Sequence, residues 1–176
     1  MSAAPSPISL EEFHRLYDGV KPNHEYWFGE AIPKPMANSL HGAVQLVLML
    51  LLRVRGWTAL PEVTLKLFPN AEPIPDIVAS REKIEKPYPT KPVEICIEIR
   101  SPQDSLKKIF RKAKYYIEWG VRYVWIVDPE AGTAWIVTSE DPDGMWIHPD
   151  GSLTADQDTV ISLPELFTEV DKMVSR

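Results

Sequence analysis

The 176-residue chain holds a single cysteine, Cys96. No intramolecular disulfide can form, which fits a reducing compartment such as the cytoplasm. Long apolar runs are missing too. The longest, Leu46 to Leu52, is far short of the roughly 20 residues that cross a bilayer. The opening MSAAPSPISL lacks a basic stretch followed by an apolar one, so no secretory signal is expected. Positive charge is not in excess: 19 Lys and Arg stand against 25 Asp and Glu, a formal net charge of −6. That argues against a protein that coats nucleic acid by bulk electrostatics. It leaves open a local basic patch, or a carboxylate site partly cancelled by a metal. No internal repeat or linker is visible, so residues 1–176 are expected to form one domain.

Proline is plentiful, and its 17 residues are scattered singly as punctuation between elements. Ser9 opens a helix: Glu12 completes a capping box, Ile8 and Phe13 are placed as a hydrophobic staple, and Gly19 stops it. HEYWFGEAIPKPM reads as two short strands turning at Gly29–Glu30. The segment from Ser39 to about Arg55 is apolar on almost every side. It predicts a helix buried around most of its circumference, against a sheet and a second subunit.

EVTLKLF and DIVAS read as strands, and a Pro-rich connection leads on to a third, VEICIEIR. A helix capped by Asp104 or Ser105 runs to Trp119 and ends at Gly120. RYVWIVD and TAWIVTS form a hairpin around PEAG, MWIH adds a strand, and SLPELF starts a short helix with Pro164 in its first turn. This mixed order predicts an α/β (α+β) architecture, a central mixed sheet flanked by helices.

The third strand raises the functional question. With period two, Val93, Ile95, Ile97 and Ile99 share one face, while Glu94, Cys96, Glu98 and Arg100 share the other. Asp76 follows a proline just before Ile77 and Val78. Lys112 flanks the apolar stripe Leu106, Ile109, Phe110, Ala113, Ile117 of the next helix, with Tyr116 one turn on. Carboxylates on neighbouring strands can meet at one hard divalent cation, and a lysine stem lying along the sheet can bring an ammonium to the same place. The ordinary readings compete: Glu98 solvated, Asp76 a turn residue, Lys112 on a wet helix face. Cys96 reads as packing, since no histidine is near it in sequence.

Read in order, HEYWFGE, NSLHGAVQLVLMLL, PIPDIV and EICIEIRSPQDSLKKIFRKAKYYIEWGVRYVWIVDPE resemble the Uma-two family of the PD-(D/E)XK nuclease superfamily, over roughly residues 8 to 170. The resemblance implies a restriction-endonuclease-like fold and an endonuclease using Mg²⁺ or Mn²⁺, with DNA as substrate. Asp76 and Glu98 match metal ligands, the Ile99 backbone carbonyl a further one, and Lys112 the catalytic lysine moved from strand to helix. Glu25 and His41 match accessory positions; Glu25 could complete the acidic cluster, and His41 could contact phosphate, cap or pack.

Arg100 departs from the superfamily pattern, which has lysine there. Always protonated, it cannot be a base, but it could hold a phosphate or pair with Glu98 or Glu94. Lys107, Lys108, Arg111 and Lys114 supply a basic patch that would steer a phosphodiester backbone. The leading expectation is a cytoplasmic, homodimeric Mg²⁺-dependent endodeoxyribonuclease. The alternative is an inactive nuclease fold retained as a binding module for nucleic acid or a protein partner. Nothing in the sequence reads bases.

Overall fold

In a computed structural model, residues 6–175 are described; the first five residues, half of the stretch read for a secretory signal, and Arg176 lie outside them. Helix α1 (Leu10–Tyr17) starts where the Ser9 hydroxyl accepts the Glu12 N–H at 3.1 Å, as its capping box predicts. Strands β1 (His24–Trp27) and β2 (Glu30–Pro33) form the expected hairpin. Its turn is Phe28–Gly29, one residue earlier than the sequence suggested. The register pairs Trp27 with Glu30, and both turn residues have positive φ, 50° at Phe28 and 94° at Gly29. A two-residue loop needs this backbone to follow the twist of its strands.

Helix α2 (Ser39–Val54) is capped by Asn38, whose Oδ1 accepts the His41 N–H at 2.8 Å. Val44, Leu48 and Leu52 are fully buried. Leu46, Leu50 and Val54, spaced by four, are exposed on the opposite side, so within the single chain only one side of the helix is buried. EVTLKLF is also corrected: it forms no strand apart from one bridge between Phe68 and Ala71. Leu65 and Leu67 are buried as a strand's would be. Their N–H groups, however, bond Pro73 O and Ala71 O across a local turn, and Lys66 N–H bonds Pro89 O, so no ladder is built. The strand lies just before it, as β3 (Thr58–Pro61). The short β4 (Ala71–Glu72) pairs with β1 on the side away from β2.

Strands β5 (Ile77–Ser80), β6 (Ile95–Ile99), β7 (Tyr123–Asp128), β8 (Thr133–Val137) and β9 (Met145–Ile147) join β3 in a six-stranded sheet ordered β3-β5-β6-β7-β8-β9. Only β6 and β7 run parallel, because α3 (Leu106–Trp119) makes the crossover between them. A ribbon of β10 (Ser152–Thr154) and β11 (Val160–Ser162), not foreseen from sequence, leads into α4 (Leu163–Asp171). Mixed sheet and flanking helices are as predicted.

Two apolar layers cover the sheet. On one side Ile77, Ile95, Ile97 and Trp125 pack with Leu48 and Leu52 of α2 and Leu166 of α4. On the other, Val78, Cys96, Val124 and Ile126 pack with Ile109, Ala113 and Tyr116 of α3 and with Trp27. Every residue of β6 is therefore buried, and its acidic face meets protein rather than water. The wet reading of Glu98 fails for this reason: alternation reports two faces, and cannot tell solvent from a second layer.

Helix α3 ends at Gly120 with φ 114°, where an added Cβ would lie 2.9 Å from Pro92 Cγ. The left-handed backbone alone costs a non-glycine residue about 1–2 kcal/mol. Gly120→Ala is accordingly expected to lower the unfolding free energy by at least that much, read as a lower urea midpoint at unchanged m, the Pro92 contact adding to it. An unchanged midpoint would refute the assignment of this cap.

Candidate active site

β5 and β6 are antiparallel, with Ile77 opposite Ile97. Extending the register by one residue puts Asp76 opposite Glu98, where facing Cβ atoms lie roughly 4.5–5.5 Å apart. Both carboxylates belong to the floor of a cleft of about 440 Å³, whose walls come from the β1–β2 hairpin, the start of α2 and one flank of α3. Asp76 is only 4% exposed and Glu98 6%. A carboxylate so buried needs a partner or must take up a proton.

The partners come from four segments. Lys112 Nζ on α3 lies 2.9 Å from Glu98 Oε1 and 2.9 Å from Glu25 Oε1 on β1, bridging the two acids. Tyr116, one turn on, donates its hydroxyl to Glu98 Oε1 at 2.7 Å. Glu25 also accepts the Ile74 N–H at 2.8 Å and the Trp27 indole N–H at 3.1 Å. Asp76 Oδ2 accepts the Ile99 N–H at 2.7 Å. Its Oδ1 pairs with Lys34 Nζ at 2.9 Å and lies 3.5 Å from His41 Nε2. Lys34 further donates to Ile74 O at 2.6 Å, and the Gln45 side chain donates to Asp76 O at 2.7 Å.

These contacts divide the three acids. Burial opposes the charge of Asp76, but Lys34, His41 and the Ile99 N–H overcome it and hold its carboxyl well below the usual range. Glu25 is likewise held low, burial being outweighed by Lys112, then Lys34 and the Ile74 N–H. Glu98 goes the other way: burial pushes its carboxyl up, Lys112 opposes, and the charges of Asp76 and Glu25 add to the rise. Burial would strip Lys112 of its proton, yet Glu25 and Glu98 push its pKa up well beyond an ordinary lysine. Lys112 is thus a permanent cation, a donor and not a base. Burial, then Glu98, pushes the Tyr116 phenol well up, so it serves Glu98 as a neutral donor.

Among the described residues no group of three or more His, Cys, Asp and Glu side chains is arranged to hold a metal ion, and the two ammoniums sit among the acids. Two carboxylates and a carbonyl are still a hard-oxygen set of the kind Mg²⁺ accepts, since it keeps several waters. The Glu98 hydrogen bonds above all fall on Oε1.

The Uma2 family model, described as "Putative restriction endonuclease", matches residues 10–172. The chain belongs to the Uma2 family. A crystal structure described as a putative nuclease belonging to DUF820, from Anabaena variabilis ATCC 29413, has the same fold with a TM-score of 0.77. At 24% identity it covers 93% of this chain, which in turn covers 99% of it. No curated protein matches. As expected from sequence, this Uma2 member is a mixed α/β protein with a nuclease fold. Among the described residues no helix is long and apolar enough to cross a membrane.

Of the residues singled out in this Uma2 sequence, Asp76, Glu98, Ile99, Lys112, Glu25 and His41 all line the one cleft, and Tyr116 supports it from below. Arg100 does not line it. It pairs with Asp128 at the end of β7, not with Glu98 or Glu94, because β6 ends at Ile99 and the alternation ends with it. Glu94 instead accepts the Arg81 N–H at 2.9 Å. The basic patch divides: Lys108 and Arg111 line the cleft, while Lys107 and Lys114 do not, and Lys114 pairs with Asp143. Asp104 accepts the Ser101 N–H at 2.8 Å, and Ser105 takes the N-cap position with no side-chain bond.

Lys34 and Gln45 were missed. Lys34 lies two residues past Ile32, which faces Glu25 across the hairpin, so alternation along β2 would have put it on the Glu25 side. No local signal points to Gln45.

Proposed function

We propose that this chain is one nuclease domain that hydrolyses DNA phosphodiesters with a divalent cation, Mg²⁺ or Mn²⁺. The observation that carries the reading is the facing pair Asp76 and Glu98 on the cleft floor, with the Lys112 ammonium on Glu98. Asp76, Glu98 and the Ile99 carbonyl would hold the cation. When bound, it supplies neutralisation of phosphate charge and hydroxide at neutral pH.

The chain's own groups do the rest. Lys112, fixed between Glu25 and Glu98, presents its protons to the attacking water or to developing negative charge. Tyr116 pins the Glu98 rotamer. Lys34 and His41 keep Asp76 charged and aimed. Lys108 and Arg111 at the cleft wall suit the flanking phosphates. The exposed stripe Leu46, Leu50 and Val54 supports a homodimer through α2.

Purified protein is expected to nick plasmid and oligonucleotide DNA in Mg²⁺ or Mn²⁺, and to stop with EDTA or with Glu98→Ala. Cutting indifferent to either would overturn the reading. Binding of DNA with no cutting under any cation would favour the rival, a nuclease fold used only for binding.

A further inference from the structure

Beside the cleft lies a second, shallow groove of about 370 Å³, lined by Phe28, Phe68, Asn70, Tyr115 and Glu118. Tyr115 lines both spaces, so the two are adjacent. Its ring lies 5.0 Å from Phe28, 5.4 Å from Trp27 and 6.4 Å from Phe68, centroid to centroid. On α3, Lys108, Arg111, Lys112 and Tyr115 follow at i, i+3, i+4 and i+7, one face running from the cleft toward the rings.

Phe28 is the odd residue. It sits in the β1–β2 turn at φ 50°, a conformation that favours glycine or asparagine, and the residue is 43% exposed. The chain thus carries backbone strain and an exposed aromatic at one position, next to the proposed site. Such strain is a reason to look for function.

The charges say what the groove can take. The Glu118 carboxylate disfavours a phosphate there, while a carboxylate and the Asn70 amide suit the amino and carbonyl edges of a base. The phosphate-binding groups, Lys108 and Arg111, are on the cleft side. Aromatic faces next to cations are how proteins hold unpaired nucleotides: bases stack on the rings and the backbone follows the charge. An uninterrupted duplex presents no base face to such rings.

We infer that the Phe28–Tyr115 groove is a stacking platform for an unpaired nucleobase. On the nuclease reading, on which this rests, the substrate class is DNA with an unstacked nucleotide beside the scissile phosphate, such as a single strand, bulge or flap. Phe28 and Tyr115 are specificity residues and take no part in bond cleavage.

The test compares one duplex, the same duplex with a single unpaired nucleotide, and its single strand, with binding by fluorescence anisotropy in EDTA and cutting in Mg²⁺. Wild type is expected to prefer the unpaired substrates about tenfold or more in binding, one stacked base being enough. Phe28→Gly, which the turn backbone accepts, and Tyr115→Leu are each expected to remove most of that preference. Trp146→Ala, an exposed aromatic on β9 away from the cleft, is expected to keep it. A wild type without preference, or a preference that survives both substitutions, overturns the inference. Cutting without preference leaves the nuclease reading standing and removes this one. Preference without cutting removes the nuclease reading and leaves the platform.

Discussion

Lys112→Met is expected to give a protein with cleavage reduced by about 100-fold or more and stability lowered by about 3–5 kcal/mol. The stability loss follows from what the ammonium holds. Glu25 and Glu98, only 4% and 6% exposed, both rest on Lys112 Nζ at 2.9 Å. Methionine fills the stem's space but leaves two buried acids without their shared cation. Breaking a buried pair by removing one partner costs about that much. In a chain of this length it corresponds to a fall in Tm of about 10 °C.

The activity loss follows from removing a fixed donor aimed into the cleft, an effect of roughly 10²–10³ where such donors have been deleted. The pH dependence separates ion pairing from packing. Without Lys112, burial favours the neutral form of both acids, so each takes up a proton as pH falls and then needs no cation. The deficit of Lys112→Met should therefore shrink as pH falls. A deficit constant from neutral to acid pH would show that Lys112 acts through its stem.

Glu98→Gln is expected to be at least as damaging to cleavage and to act on stability in the opposite direction. Burial, and the charges of Asp76 and Glu25, hold the Glu98 carboxyl above its ordinary pKa despite Lys112. A carboxyl raised in the folded state contributes its stability below its unfolded pKa, and that contribution is lost as pH rises through the folded value. Ionised Glu98 is thus a burden on the fold above its folded pKa. Glutamine keeps an oxygen for Tyr116 and Lys112 and discards the charge.

The Tm of Glu98→Gln should match wild type below the ordinary carboxylate range and exceed it increasingly as pH rises above that range, while cleavage disappears. A lower Tm above the ordinary carboxylate range would mean that the Lys112 pair outweighs desolvation, with the opposite sign. Asp76 behaves in the contrary sense. Held well below the usual range by Lys34 and His41, it stabilises from above its ordinary pKa down to strongly acid pH. The double variant Lys112→Met, Glu98→Gln should recover part of the lost stability and none of the activity, because one of the two orphaned charges is gone.

Much of the fold was legible because its signals are local. A capping hydroxyl three residues from Glu12, alternation along residues 93–99 and a glycine after Trp119 each report on a few neighbouring dihedrals. The hairpin turn was displaced by one residue because phenylalanine, not the usual asparagine, precedes Gly29 at positive φ. The failed strand at EVTLKLF had the right pattern, but the Leu65 and Leu67 N–H groups found a nearby turn and Lys66 N–H found Pro89 O instead of a ladder.

The candidate site divides along the same line. Sequence by itself fixed that an acid precedes β5, that another lies on the polar parity of β6, and that a lysine flanks the stripe of α3. Only tertiary structure decided that these share one cleft, that the polar face of β6 is buried, and that Asp76 takes Lys34 while Glu25 and Glu98 share Lys112. Lys34 reaches Asp76 from 42 positions away and Lys112 reaches Glu25 from 87. Arg100, two residues from Glu98, turns to Asp128 instead. Charge compensation in a buried site depends on which distant segments the sheet register brings together. No window of neighbouring residues contains that information.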